Sequence, residues 1–212
     1  MSPAGLFDDP PLRLAEGAVL LPRRAAGCSP QLLAAIEQVA TQTPFRYMHT
    51  PGGHRMSVAM TSCGALGWIT DAAGYRYSAT DPLSGLPWPK MPSMLRKLAT
   101  TAAAEGGFSG FDPDACLINR YAPGSRMSLH QDRDEQDFGW PIVSVSLGLP
   151  AVFQFGGLVR TERPQRVPLE HGDILVWGGP ARLRYHGILA LRDGVHPLTG
   201  AIRLNLTFRH AG

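Results

Sequence analysis

His130 and Asp132 stand two positions apart, and in an extended segment residues i and i+2 face the same way, so one metal ion could accept both side chains. A neutral imidazole and a carboxylate, joined by one further histidine, make the facial set that holds iron(II) on one side and leaves three positions open for a cosubstrate and oxygen. Two residues of such common types are far more often a surface polar pair, so the third ligand decides. Besides His130 the chain offers His49, His54, His171, His186, His196 and His210. His171 precedes Gly172 and Asp173 at a turn and His196 precedes Pro197 in a loop, which marks both as solvent-facing turn residues. His186 closes the apolar run Leu183 to Tyr185 and is followed by Gly187, which puts it at the end of an expected strand. The ends and mouths of β-barrels are common places for sites.

The segment Ile202 to Arg209 carries a second signal. Arg203, Asn205, Thr207 and Arg209 share one face of a strand, and Leu204, Leu206 and Phe208 share the other. In isolation the polar face reads as the solvated side of an edge strand. Beside an iron site it meets a specific need, because a dicarboxylate cosubstrate requires a cation at its far end and a guanidinium fork matches a carboxylate in two hydrogen bonds.

The elements that must position these residues follow from patterning. Ala18 to Leu21 reads as an early strand. Ser29 is the expected N-cap of a helix from about 30 to 42, with Pro30 at its first position and Leu32, Leu33, Ile36 and Val39 at helical spacing. From Pro51 to Pro92 the chain is dense in Gly, Pro, Tyr and Trp, with Met56, Val58 and Met60 alternating. That stretch reads as too irregular for a core and too aromatic for a linker. Pro92 opens a second helix, with Leu95, Leu98 and Ala102 on one face and Gly106 and Gly107 as its stop. Beyond Phe111 come six short apolar runs without intervening helices: Ala115 to Tyr121, Ile142 to Leu149, Val152 to Phe155, Asp173 to Trp177, Leu183 to His186 and Ile202 to Phe208. This pattern predicts a mainly β fold, an antiparallel sandwich or jelly-roll barrel braced by helices from outside.

A chain of 212 residues with 44% hydrophobic content can bury a sizeable core without staples. Cys28, Cys63 and Cys116 are odd in number, far apart in sequence and without a C-x-x-C pair, so reduced and mostly buried thiols are expected. No charged-plus-apolar leader and no apolar run of about 18 residues is visible, and a soluble, cytoplasmic protein is expected. The net charge is +3 and the pI near 9.0, with Arg and Lys scattered, so any surface for an anionic partner must be assembled by folding.

The set His130-x-Asp132, His186 and R-L-N-L-T-F-R (Arg203 to Arg209) resembles the AlkB family of alkylated-nucleic-acid repair dioxygenases. So do C-L-I-N-R-Y-A-P-G (Cys116 to Gly124) and V-S-V-S-L-G-L-P (Val143 to Pro150). The resemblance extends from the first helix to the C-terminus and is densest from Cys116 to Arg209. It implies one domain over 1–212: an N-terminal extension at 1–28, a nucleotide-recognition lid at about 44–90 and a catalytic double-stranded β-helix, or jelly roll, at about 111–210.

The resemblance also implies roles. Iron(II) would sit on His130, Asp132 and His186, and Arg203 would take the outer carboxylate of 2-oxoglutarate. Asn119, Tyr121 and Asn205 would add hydrogen bonds to the cosubstrate, with Arg209 near its metal end ordering Asp132 or the inner carboxylate. Dioxygen and 2-oxoglutarate would yield succinate and carbon dioxide while a methyl group is hydroxylated and shed as formaldehyde. Trp68 resembles the lid aromatic that stacks on an extruded base, with the His130 ring opposite and Asp134 at the base edge. Thr50, Tyr75 and Arg160 would lie near the substrate or its backbone, whereas Tyr77 and Trp88 are open to a plainer role, packing on other lid aromatics. Methylation at a ring nitrogen makes adenine or cytosine cationic, which suits an indole face and a carboxylate. The implied substrates are 1-methyladenine and 3-methylcytosine in single-stranded DNA, with duplex DNA or RNA as further partners and no obligate protein partner for a monomer. A hydroxylase of a protein or small molecule and a non-catalytic alkylated-DNA-binding module stay open as alternatives.

Overall fold

The computed structural model describes residues 9–212, so the first eight residues of the expected N-terminal extension lie outside it. In chain order the elements are β1 (Leu12–Ala15), β2 (Ala18–Leu21), α1 (Ser29–Gln42), β3 (Arg46–His49), β4 (Arg55–Gly64), β5 (Gly67–Asp71), β6 (Gly74–Ser78) and α2 (Ser93–Glu105). There follow β7 (Ala115–Tyr121), β8 (Met127–His130), β9 (Ile142–Gly148), β10 (Ala151–Phe155), β11 (Gln165–Leu169), β12 (Ile174–Trp177), β13 (His186–Ile188) and β14 (Arg203–Arg209). The larger sheet runs β1-β2-β12-β9-β14-β7-β4-β3, the smaller β11-β10-β13-β8, and β5 and β6 make a separate hairpin. Every pairing between named strands is antiparallel. The architecture is the jelly roll that the strand pattern predicts.

Period-two patterning divides the larger sheet into two faces. Leu204, Leu206 and Phe208 of β14, Cys116 and Ile118 of β7, Val143, Val145 and Leu147 of β9 and Ile174 and Val176 of β12 pack in one cluster with Leu32, Ile36 and Val39 of α1 and Leu95, Ala99 and Ala102 of α2. The alternate residues Leu117, Tyr121, Ile142, Leu175 and Trp177 look the other way, into a second cluster with Phe153 and Phe155 of β10 and Val167 and Leu169 of β11. The helices thus brace the outer face, and the space between the sheets is left for the inward residues. No helix among the described residues is long and apolar enough to cross a membrane.

Several expectations are corrected. Residues 55–64, read as too irregular for a core, form a ten-residue strand in the larger sheet, with Val58 through Cys63 buried. The glycines and prolines that suggested irregularity flank this strand rather than interrupt it. Leu183 to Tyr185 is not a strand; β13 begins at His186, so the histidine opens its strand instead of closing one. Ser29 lies inside α1 rather than capping it, because its hydroxyl points back to the carbonyls of Ala25 and Ala26 at 3.0 and 2.7 Å. His171 and His196 are not separate solvent-facing residues. Their rings stack at 4.4 Å, and the His171 ring also meets Ser29 Oγ at 2.8 Å and accepts the Gly148 N–H at 2.9 Å. All three cysteines are free, but Cys63 and Cys116, remote in sequence, are cross-strand partners in β4 and β7.

Candidate active site

His186 pairs directly with His130 across β13 and β8, and the two rings lie 4.4 Å apart. Gly187 makes this approach possible, since a side chain there would meet the Met127 carbonyl oxygen at 2.6 Å. Asp132 lies in the irregular segment just past β8. Its Oδ1 is 3.6 Å from His130 Nε2 and its Oδ2 is 3.6 Å from His186 Nε2. One ligand atom from each of the three side chains falls within 4.8 Å of the others, a spacing that suits a single metal ion.

The histidine tautomers fit that reading. His130 Nδ1 lies 2.9 Å from the Ser128 carbonyl and His186 Nδ1 lies 3.0 Å from the Arg184 carbonyl. A carbonyl only accepts, so each Nδ1 carries the proton and each Nε2 keeps a free lone pair. Burial and then the neighbouring His186 lower the His130 pKa, which favours the neutral, ligating form.

Arg209 orders the carboxylate. Its Nε and Nη2 donate to Asp132 Oδ2 at 3.1 and 2.6 Å, which leaves Oδ1 as the oxygen free to ligate. Burial opposes ionisation of Asp132, but the Arg209 guanidinium and next His186 outweigh it and hold the carboxyl well below its ordinary range. Glu135 extends the network. It accepts from the Tyr77 hydroxyl at 2.8 Å, pairs with Arg209 Nε at 3.2 Å and accepts from Arg182 Nη2 at 3.0 Å. Arg182, 3% exposed, also donates to the backbone oxygens of Asp132 and Trp140.

At the floor of the site the inward face of β14 meets those of β7 and β9. Arg203 is paired with Tyr121 and Gly148, Asn205 with Asn119 and Ser146, and Thr207 with Leu117 and Ser144. Arg203 is 1% exposed, lies over the Tyr121 ring at 5.0 Å and donates from Nη2 to Ser146 Oγ at 3.0 Å, while its Nε and Nη1 have no hydrogen-bond partner. A buried guanidinium with two unused donors is costly unless an anion completes it. Asn119 Oδ1 is likewise unpartnered. The Asn205 amide nitrogen is already engaged by Ser144 Oγ and the Val145 carbonyl, and its oxygen accepts from Thr207.

One cavity of about 850 Å³ joins the metal cluster and the floor of the site to the aromatic hairpin. It is lined by His130, Asp132, His186, Asn119, Tyr121, Arg203, Asn205 and Arg209, and equally by Thr50, Trp68, Tyr75, Asp134 and Arg160. Trp68 Nε1 donates to Asp134 Oδ2 at 2.8 Å, and the indole stacks on Tyr75 with centroids 5.7 Å apart. Tyr77 does more than pack on lid aromatics, since it lines the cavity and reaches Glu135. Trp88 is buried, with its Nε1 donating to the Ser78 carbonyl. Sequence reasoning missed Ser144, Ser146, Glu135 and Arg182. The serines were findable, because V-S-V-S alternates polar residues through an apolar strand and so marks an inward face. Arg182 gave no local signal.

The donor set of two imidazoles and a carboxylate fits iron(II), and the unpaired nitrogens of Arg203 fit a carboxylate in the same cavity. The model of the 2OG-Fe(II) oxygenase superfamily matches residues 17–209. The chain is 60% identical over 198 residues to the alpha-ketoglutarate-dependent dioxygenase AlkB of Salmonella typhimurium, covering 93% of this chain and 92% of the relative. It is 45% identical over 181 residues to an AlkB homolog of Caulobacter vibrioides, covering 85% of this chain and 80% of the relative. Among solved structures, OsALKBH1 matches with a TM-score of 0.82 at 28% identity, over 95% of this chain and 100% of that chain. These likenesses span nearly the whole chain rather than a motif alone, and the chain belongs to the AlkB family within the 2OG-Fe(II) oxygenase superfamily.

Proposed function

We propose that this protein is an iron(II)- and 2-oxoglutarate-dependent dioxygenase that removes methyl groups from ring nitrogens of adenine and cytosine in nucleic acid, favouring single-stranded DNA. The observation that carries the reading is Arg203, a fully buried cation with two unused nitrogens on the floor of the cavity that holds the His130, Asp132 and His186 cluster. A binding module has no use for that pair of features. Iron(II), when bound, supplies the oxidation in which 2-oxoglutarate and dioxygen yield succinate and carbon dioxide while the methyl carbon is hydroxylated and leaves as formaldehyde.

The chain's own residues bind and orient. Arg203 takes the outer carboxylate of 2-oxoglutarate, with Asn119, Tyr121 and Asn205 beside it on the cavity wall. Arg209 fixes Asp132 so that one oxygen faces the metal position. On the open side, the segment at about 44–90 acts as a lid over the core at about 111–210. An extruded base lies between the Trp68 indole and the His130 ring, with Asp134, already positioned by the Trp68 N–H, as countercharge to the methylated, cationic ring. Thr50, Tyr75 and Arg160 line the approach. Trp68 and Asp134 favour a cationic base over a protein or small-metabolite substrate, which would need neither. Single strands are favoured because extrusion from a duplex costs a few kcal/mol that an unpaired base does not incur.

The test is a formaldehyde and succinate assay on oligonucleotides bearing 1-methyladenine or 3-methylcytosine, single-stranded and duplex, with and without 2-oxoglutarate. Formaldehyde release that depends on 2-oxoglutarate is expected, faster on the single strand. Succinate without formaldehyde on every methylated strand would move the hydroxylase alternative ahead.

A further inference from the structure

The mouth of the cavity carries chemistry that neither the metal cluster nor Arg203 uses. Arg55, Arg126, Arg133 and Arg160 line it, and all four are exposed. None has a carboxylate within ion-pair distance among the described residues, whereas Arg23, Arg46, Arg76, Arg96, Arg182 and Arg209 are all paired. Unneutralised guanidiniums gathered at one opening create an attractive field for a polyanion.

Of the four, Arg55 is the one whose guanidinium lies over an aromatic ring among the described residues. It stands opposite His49 in the β3–β4 hairpin, and its guanidinium carbon lies 3.8 Å from the centroid of the Tyr47 ring. Tyr47 is itself 39% exposed, so this cation–π stack sits on the surface rather than in a core. The hairpin end is fixed by Thr50, whose N–H donates to the His54 carbonyl at 2.9 Å and whose hydroxyl accepts the His54 N–H at 3.2 Å. His54 therefore flanks Arg55 on the same opening. Stacking holds the guanidinium plane and leaves its N–H edges free, so less freedom is lost when they take a phosphate.

We infer that Tyr47 and Arg55 form a subsite for the phosphodiester next to the extruded base, so that this protein takes its alkylated base as part of a chain and discriminates against the free nucleoside. The inference rests on the nucleic-acid reading above and deepens it. A nucleoside offers no anion to the fork, whereas one phosphodiester on the hairpin side does.

The experiment measures dissociation constants without oxygen, with manganese(II) and 2-oxoglutarate bound, for 1-methyladenosine and for a pentanucleotide with 1-methyladenine at its centre, over a range of salt. Arg55→Ala should weaken pentanucleotide binding about fivefold at low salt and leave nucleoside binding as in the parent. The slope of log affinity against log salt should become shallower by about 0.7, the loss of one phosphate contact on a single strand. Arg55→Lys should keep the parental slope and recover part of the affinity. Parental affinity and slope for Arg55→Ala would overturn the inference, and so would equal losses for nucleoside and pentanucleotide. Failure of the parent itself to bind the methylated pentanucleotide would instead sink the nucleic-acid reading, and this inference with it.

Discussion

Arg209 grips a single oxygen of Asp132, with Nε and Nη2 at 3.1 and 2.6 Å from Oδ2, and it does so from the same face of β14 that carries Arg203 six residues earlier. One strand therefore orients the metal carboxylate at one end and offers a guanidinium with two unpaired nitrogens at the other. The distance between the two is set by the strand rise of about 3.3 Å per residue, roughly 20 Å over that interval for the backbone, and by side chains that reach back into one cavity.

Asp132→Ala should reduce turnover to background and abolish the rise in melting temperature on adding metal under anaerobic conditions. The metal-free variant should also lose stability, by about 1–3 kcal/mol, because Arg209 is left with Glu135 alone as its anion. Thermal unfolding with and without metal reads both effects. A variant still stabilised by metal as strongly as the parent would show that another residue supplies the ligand.

Arg203→Ala should raise the apparent Michaelis constant for 2-oxoglutarate by roughly 100-fold, the scale of a lost bidentate ion pair of about 3 kcal/mol. The constant for methylated oligonucleotide should change far less. Without cosubstrate the variant should melt no lower than the parent, since the replaced cation is buried with two unpaired nitrogens. Equal effects on both constants, together with a lower melting point, would mark the arginine as structural.

Trp68→Phe keeps a stacking face but removes the N–H that holds Asp134. Its Michaelis constant for a methylated oligonucleotide should rise severalfold, and that of Trp68→Ala by about tenfold or more, in line with stacking worth roughly 1–3 kcal/mol per base. Calorimetric affinity for 2-oxoglutarate should stay at the parental value in both. Parental kinetics for Trp68→Ala would remove the indole from the substrate site.

The hairpin bearing Trp68 should respond to acid through Asp71. Its carboxylate is held at about 2 by the hydrogen bond from Arg76, assisted by the Ala73 N–H. A depressed carboxylate contributes stability that is present above its ordinary pKa and is lost as the pH falls from about 4 toward 2. The pair is exposed, so the effect on stability is small, and a site-resolved titration is the better probe. Carboxyl carbon shifts followed by NMR should place Asp71 near 2 in the parent and higher in Arg76→Ala. An unmoved titration in the variant would assign the shift to the turn backbone instead.

How much of this was legible in the sequence depended on whether the information was local. The alternation in Arg203 to Arg209 is local, and it predicted both the strand and its two chemically distinct faces. Gly106 marked the end of α2 for the same reason. The strand β4 was obscured because the preceding Gly52 and Gly53 and its own last residue Gly64 suggested irregularity, while its real support is lateral pairing to β7, which no short window contains. The stack of His171 on His196 joins residues from two separate loops and escaped for that reason. Arg182 is the extreme case, an arginine after a 3-10 turn whose partners Asp132, Glu135 and Trp140 lie more than forty positions away.

The two-faced character of β14 also limits how this gene can change. Adding or deleting a single residue within the strand would exchange its faces on one side of the change, sending either Arg203 or Arg209 toward the helices and the apolar residues beside it into the cavity. No compensating point mutation could restore both layers at once. Length variation should therefore be tolerated at exposed connections such as 192–195 and excluded from 203–209, so that a library of one-residue insertions would show a sharp gap over this strand.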